Sequence, residues 1–192
     1  MNRRVGAWLT ASLALALALP ASADATTKQA FDPLRSVASF KVAMRLPLRV
    51  EGRFNRAEGE LASLPDGFLR VHARLDGRQL RMSGPDWMQR VTLSDDFLDV
   101  RQHPDIRFDS QEIQPGSLMT GGALRGRLQL RGQVREVLFT LLPSACTRPG
   151  HDCAIRVLGQ LDRHDFGMHA HRFSVRDEIT FDFSIRLAGT AP

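Results

Sequence analysis

The sequence predicts an all-β fold, a single antiparallel barrel of eight strands with a short helical segment. Three observations support this fold class. Apolar residues alternate with polar ones along most of the chain, which is typical of strands with one buried face. Turn-forming dipeptides separate the alternating segments at short intervals, and helical periodicity is nearly absent. A length of 192 residues suits one domain.

The first 23 residues have the features of a secretory signal peptide. Arg3 and Arg4 form a positive start, residues 7–19 are almost wholly Ala and Leu, and residues 21–23 are Ala-Ser-Ala, which suits cleavage. The apolar stretch is too short to span a membrane. We therefore expect cleavage near Ala23, export to the periplasm, and a mature domain of residues 24–192.

The first alternating row begins at Phe40 and continues to Phe54. Pro47 lies within this row, and proline cannot donate a hydrogen bond to a neighbouring strand. The segment is therefore either one bent strand or two strands that meet at Pro47. The residues predicted to face inward are Phe40, Val42, Met44, Leu46, Leu48, Val50, Gly52 and Phe54.

Five further segments show the same alternation, with arginine, threonine and aspartate at many of the intervening positions. The last segment is the most regular, because polar residues separate all its apolar residues. The inward rows are Leu69, Val71, Ala73 and Leu75; Leu124, Gly126, Leu128 and Leu130; Val137, Phe139 and Leu141; Ile155, Val157, Gly159 and Leu161; and Ile179, Phe181, Phe183, Ile185 and Leu187.

The one exception to the strand pattern is the segment from Asp86 to Val100. Ser94 is suited to cap a short helical turn that carries Phe97 and Leu98 and ends before Pro104. This segment is the predicted helical element at one end of the barrel.

Cys146 and Cys153 are the only cysteines, and a Pro-Gly turn lies between them. In an exported protein such a close pair predicts a disulfide bond. The alternative is a metal site that uses both thiols and His151, but a fourth ligand is missing from this segment.

The net charge of +5 falls to +3 when the predicted signal peptide is removed with its two arginines. The remaining arginines are spread along the chain, as on the solvated face of a sheet. We therefore expect no nucleic acid partner.

Several segments resemble, in order and spacing, the sequence signatures of the YceI family. The central segment runs Ser-Asp-Asp-Phe-Leu-Asp-Val over 94–100 and His-Pro-Asp-Ile-Arg-Phe-Asp-Ser over 103–110. The other matches are Gly126–Gly132, Arg163–Met168 with the Val-Arg-Asp-Glu-Ile of 175–179, and, more loosely, Phe31-Asp32-Pro33 with Ser36 and Gly52-Arg53-Phe54.

The resemblance implies a lipocalin-like antiparallel barrel whose interior holds a polyisoprenoid, a quinone tail or a related amphiphile. The family's first strand often carries a histidine, and residues 44–47, Met-Arg-Leu-Pro, stand in that place here. A role for that histidine at a ligand head group therefore does not carry over.

The inward rows predict either a cavity or a solid core. Gly52, Ala73, Gly126 and Gly159 lie on these rows, and their small size leaves room for a ligand. The predicted apolar lining consists of Phe40, Met44, Phe54, Trp87, Met88, Phe97, Leu98, Phe108, Leu128, Leu130, Phe166, Met168, Phe173 and Phe183.

Some of these lining residues lie outside the predicted strands, namely Trp87, Met88, Phe97, Leu98, Phe166, Met168 and Phe173. One interpretation is that they form a mouth or lid over the ligand. The other is that they close the end of an ordinary core.

The sequence carries no nucleophile elbow, phosphate loop or dinucleotide fingerprint, so we predict no catalytic residue and no enzyme. His164, Asp165, His169 and His171 form a cluster that suggests a divalent metal or haem. Surface histidines in a turn are the interpretation we prefer, so we predict no metal and no cofactor besides a bound lipid.

The predicted function is non-covalent binding and carriage of an isoprenoid, quinone or similar lipid in the periplasm. The alternatives are a filled barrel that acts as a stress or interaction protein and an enzyme acting on a bound lipid. A transient contact with a membrane or a membrane redox protein is compatible with such a cargo. The sequence does not determine the oligomeric state.

Overall fold

The computed structural model describes residues 26–45 and 49–189. The predicted signal peptide and the first residues of the predicted mature domain lie outside this range. No helix within the described residues is both long and apolar enough to cross a lipid bilayer.

The described chain forms eleven β-strands and two short α-helices. Within the described residues, the alternating segments lie in strands except for Leu187, which follows the last strand. The strands are β1 (Thr27–Ala30), β2 (Val37–Met44), β3 (Arg49–Phe54), β4 (Glu58–Ser63), β5 (Leu69–Asp76), β6 (Leu80–Met82), β7 (Asp105–Ser110), β8 (Gly122–Leu130), β9 (Gln133–Leu141), β10 (Ile155–Asp162) and β11 (Val175–Ile185). The helices are α1 (Asp86–Leu93) and α2 (Ser117–Thr120).

All eleven strands belong to one sheet, in the order β1-β4-β5-β7-β8-β9-β10-β11-β2-β3-β6. Every strand pair is antiparallel. The sheet curls into a half-barrel whose edge strands are β1 and β6. The all-β, antiparallel prediction is confirmed, whereas a closed barrel of eight strands is not what the structure shows.

The strand count differs because three strands lack the alternating pattern. β1 has four exposed residues and β6 has only three residues. In β4 the buried residues Leu61 and Ala62 are adjacent in sequence rather than alternating. Strands that contribute few inward apolar side chains leave little period-two signal, so pattern reading does not detect them.

At the end of the sheet away from α1, β1 approaches the residues that follow β11. Phe31 pairs with Leu187, Asp32 N–H donates to Arg186 O at 2.8 Å, and Ala188 N–H donates to Ala30 O at 2.8 Å. These bonds draw the curled sheet together at that end.

The segment around Pro47 is two strands rather than one bent strand. β2 and β3 pair antiparallel over six residue pairs, with Phe40 opposite Gly52 and Val42 opposite Val50. Because the register pairs even-numbered residues with each other, the described inward residues of the two strands lie on one face. Leu46 and Leu48, which were also predicted to face inward, lie outside the described residues.

The predicted helical segment contains helix α1 before Ser94 and, after Ser94, the turn that carries Phe97 and Leu98. Ser94 ends the helix, and its carbonyl accepts hydrogen bonds from Phe97 N at 3.1 Å and Asp99 N at 2.8 Å, which form the turn that follows. Gln89 ties the helix to edge strand β6: its Oε1 accepts from Met82 N at 2.9 Å and its Nε2 donates to Leu80 O at 2.6 Å. Covering of this kind protects an edge strand from pairing with other chains.

The disulfide prediction is confirmed. Cys146 and Cys153 are bonded in the loop between β9 and β10, and their Cα atoms are 6.0 Å apart. Both thiols are consumed, so this loop holds no thiolate metal site. A cross-link over such a short loop stabilises a fold by about 2–3 kcal/mol in the chain-entropy model.

Candidate ligand-binding site

The inner face of the curled sheet encloses a cavity of about 410 Å³. Small-molecule pockets in proteins have volumes of about 300–1,000 Å³. The wall consists almost entirely of aliphatic, methionine and phenylalanine side chains that the strand alternation turns inward. The structure therefore favours a cavity over the solid core that the sequence left open.

Phenylalanine rings form a connected surface across the wall. The Phe108 and Phe139 ring centroids are 5.3 Å apart, and Phe139 lies 5.7 Å from Phe183. Phe181 continues the series at 5.8 Å from Phe183 and 6.0 Å from Phe40. Offset aromatic contacts at these distances rigidify a wall and present flat apolar surface to a ligand.

Three inward glycines, which were predicted to leave room for a ligand, instead leave room for phenylalanine rings of the protein itself. A Cβ built on any of them would come within 3 Å of a phenyl ring, so the rings occupy the space above the glycines. The ligand space therefore lies beyond the seated rings. The pairs are Gly52 with Phe40, Gly126 with Phe108, and Gly159 with Phe139.

Ala73, the fourth small residue of the inward rows, does line the cavity directly. It pairs with Phe108 across β5 and β7. The prediction that small residues leave room is therefore correct at this position and indirect at the three glycines.

The structure places most of the predicted lining residues on the cavity wall. Whether they touch a ligand remains a prediction. The residues on the wall are Phe40, Met44, Phe54, Trp87, Met88, Phe97, Leu98, Phe108, Leu128, Leu130, Met168 and Phe183.

Phe166 and Phe173 do not line the cavity, which corrects the prediction for these two residues. Phe166 is only 1% exposed, and a 3-10 turn holds it inside the core. Phe173 is 81% exposed and lies on the outer side of its loop. In a loop, side-chain direction depends on long-range contacts and cannot be inferred from alternation.

The wall also contains residues that the sequence analysis did not single out. Leu61 of β4, Met82 of β6, and Val91 and Thr92 of α1 are on the wall. The strand residues were missed because β4 and β6 lack a period-two pattern. In α1, the residues four apart, Trp87 with Val91 and Met88 with Thr92, share a helix face, which a helical reading of 86–93 would have indicated.

The mouth of the cavity lies at the end that carries α1. Among the described lining residues, those classed as exposed are Trp87, His171 and Ser174. Trp87 belongs to α1, and the other two belong to the loop between β10 and β11. The structure thus favours the mouth over the plugged end for these segments.

Two arginines hold the segments around the mouth in place. Arg131, in the β8–β9 turn, donates from Nη1 to Gly167 O at 2.5 Å and from Nη2 to Asp95 O at 2.6 Å. It thereby joins the β10–β11 loop to the turn after α1. Arg163 is fully buried, and its Nη1 donates to Met168 O at 2.7 Å and Ala170 O at 2.6 Å.

The histidine cluster divides into two contacts. His171 stacks on Phe97 with ring centroids 5.7 Å apart, and its Nε2 lies 3.5 Å from Asp96 Oδ2. His164 and His169 stack on each other at 5.1 Å, outside the cavity. No group of three or more metal-ligating side chains occurs within the described residues.

Two carboxyl groups on the outer surface have pKa values below the ordinary range. The guanidinium groups of Arg74 and Arg107 hydrogen-bond Asp105 and hold the pKa of its carboxyl below the ordinary value. The Arg148 guanidinium lowers the pKa of Asp152 in the same way. The described wall of the cavity offers mainly apolar contact.

A family model for the YceI-like domain matches residues 30–187. The chain belongs to the YceI family. The match spans the whole sheet from the last residue of β1 to the residues after β11, so it covers the cavity and its mouth. The search of curated proteins gave no match.

Solved structures share the YceI fold with this chain at low sequence identity. Burkholderia cenocepacia BcnA has a TM-score of 0.66 at 17% identity, covering 83% of this chain and 99% of that one. A polyisoprenoid binding domain from Saccharophagus degradans has a TM-score of 0.65 at 11% identity, covering 86% and 100%. The Campylobacter jejuni YCEI protein has a TM-score of 0.53 at 15% identity, covering 72% and 85%.

Proposed function

We propose that this chain binds a long apolar molecule, an isoprenoid, a quinone or a similar lipid, inside the curled sheet. The cavity of about 410 Å³ with its apolar wall is the observation that supports this function most directly. Binding is non-covalent, and the chain carries its cargo in the periplasm after removal of the signal peptide near Ala23.

Burial of the ligand provides the binding energy. Each methylene that leaves water contributes about 0.8 kcal/mol, so a five-carbon isoprene unit contributes about 4 kcal/mol before the cost of ordering it. The charged side chain on the wall, Arg163, has no exposed surface and uses its donors on backbone carbonyls. A ligand held by such a wall needs length and flexibility more than a charged group.

The relatives agree with this proposal. The family match extends over the complete cavity. A protein of the same fold is described as a polyisoprenoid binding domain.

Organic extraction followed by mass spectrometry of the purified chain tests the proposal. We expect a stoichiometric isoprenoid, quinone or fatty acyl species. A chain that is free of lipid and takes up no added prenol would contradict lipid binding. A filled-barrel interaction protein would then be the better account.

A cavity-filling variant gives a matched comparison. Val42 faces the cavity on β2, and the adjacent Lys41 faces outward and is exposed. Val42→Trp should reduce the extracted lipid several-fold because the indole occupies ligand space, whereas Lys41→Trp should leave it unchanged. Equal lipid content in the two variants would show that the lipid binds elsewhere.

A further inference from the structure

We propose that the α1 end of this protein docks on the surface of an anionic phospholipid membrane. The inference rests on the proposed lipid-binding function and adds the surface through which cargo is exchanged. Two exposed aromatic side chains belong to the segments that form the mouth. Trp87 of α1 is 50% exposed and Phe173 of the β10–β11 loop is 81% exposed.

The two aromatics lie at the same end of the sheet. β11 starts at Val175, which pairs with Met44 at the end of β2, and Arg45 N–H donates to Ser174 O at 2.8 Å. The turn after α1 reaches the same loop through the stack of Phe97 on His171. Tryptophan and phenylalanine at one end of a protein match the interfacial region of a bilayer, where an apolar ring is buried among head groups.

The charge around Phe173 favours anionic lipids. The Arg172 guanidinium lies 4.8 Å from the centre of the Phe173 ring, and Arg45 Nε donates to Arg172 O at 3.0 Å. Within the described part of the chain neither arginine forms an ion pair with a carboxylate. Asp177, which borders the same surface depression, is paired with Arg163 at 3.2 Å.

The cargo supplies the reason for a membrane partner. Each methylene lowers the partition coefficient of a chain molecule from an apolar phase into water by about fourfold. A long isoprenoid therefore does not pass through the aqueous phase at a useful rate. A mouth that rests on the bilayer lets the chain pass directly between the membrane and the cavity.

Sedimentation with lipid vesicles tests the docking surface, using the mature chain with its N-terminus verified by mass spectrometry. Wild type should bind vesicles that contain phosphatidylglycerol more strongly than vesicles of phosphatidylcholine alone. Phe173→Ser should lower the partition coefficient about tenfold, because one phenyl ring no longer enters the bilayer. Arg172→Gln should lower it about fivefold on the anionic vesicles only.

Leu34→Ser is the matched control. Leu34 is 77% exposed, nearly as much as Phe173, but it lies in the turn between β1 and β2 at the opposite end of the sheet. Its substitution should leave vesicle binding within about twofold of wild type. An equal loss in Leu34→Ser and Phe173→Ser would overturn the assignment of the docking surface.

The lipid content of the same preparations separates the two proposals. Wild type that carries extracted lipid yet sediments with neither vesicle type overturns membrane docking and indicates a protein acceptor, while lipid binding stands. If wild type binds vesicles through Phe173 but never contains lipid, the docking proposal stands and the lipid-binding proposal is contradicted. Failure of both measurements removes both proposals.

Discussion

Arg163 shows how a single residue positions the mouth. Its guanidinium is fully buried, donates to two backbone carbonyls of the β10–β11 loop, and lies 3.2 Å from Asp177 Oδ1. Two backbone carbonyls and Asp177 accept hydrogen bonds from its Nη1 and Nη2, whereas its buried Nε has no partner within the described residues. Removal of the side chain leaves backbone carbonyls without partners. The loop that carries His171 and Ser174 is therefore held by this side chain together with Arg131.

Replacement of Arg163 should be strongly destabilising. We expect Arg163→Ala to lower the free energy of unfolding by about 3–5 kcal/mol, since carbonyls and a carboxylate lose their buried partner. Arg163→Lys should recover only part of this loss, because an ammonium lacks the planar fork of donors. Urea denaturation measures both effects. The exposed Arg127 on β8 provides the control, and equal costs at the two positions would contradict the structural role.

At the scale of elements, charged side chains connect neighbouring strands on the outer face of the sheet. Arg74 of β5 contacts Asp105 at 2.7 Å and Glu58 of β4 at 3.2 Å, and Arg107 of β7 contacts Asp105 at 2.8 Å. The contacts lower the pKa of Asp105. These groups are largely solvated, so each pair contributes little to stability.

The network predicts a pH dependence with a defined sign. Because the folded-state pKa of Asp105 lies below its unfolded value of about 3.9, its contribution is complete above pH ~4 and is lost as pH falls through the folded-state pKa. Asp105→Asn should therefore be less stable than wild type at neutral pH, and the difference should shrink below pH ~4. Urea midpoints across this range measure it. A difference that is constant with pH would exclude the ionised carboxylate as its cause.

At the scale of the whole molecule, the cavity makes stability depend on the ligand. A ligand that binds only the folded state raises the free energy of unfolding by about 2.7 kcal/mol when its concentration is 100 times the dissociation constant. The large apolar space inside the sheet is otherwise an unfavourable feature, because its wall lacks packing partners.

Removal of the lipid should lower the melting temperature. We expect delipidated protein to melt roughly 5–10 °C below the loaded form, from the stabilisation above and the usual scaling for a domain of this size. Addition of a prenol should restore the loss in wild type and not in Val42→Trp. Scanning calorimetry or fluorimetry gives the measurement, and identical melting with and without lipid would contradict occupancy of the cavity.

The lining residues on regular strands were easier to predict from the sequence than those in loops. Phe40, Phe108 and Leu128, which alternation and the family resemblance predicted as lining residues, lie on the cavity wall. The apolar loop residues divided, with Met168 on the wall and Phe173 on the outer surface. Alternation has no meaning in a loop, so composition alone did not separate them.

The amino-acid sequence by itself determined that the protein is an antiparallel sheet with one apolar face, because successive side chains of a strand point to opposite sides. It also determined the disulfide pair and, through the spacing of its motifs, the YceI family. The sequence did not predict the number of strands, because β1, β4 and β6 carry no alternating apolar pattern.

Only the tertiary structure decided whether the apolar face encloses a space and where that space opens. The cavity depends on how the rings of Phe40, Phe108 and Phe139 seat on glycines of neighbouring strands. The mouth depends on Arg131, whose guanidinium bridges segments 36 residues away on either side in the chain. Contacts between residues so distant in sequence are set by the curvature of the sheet, and no local pattern encodes them.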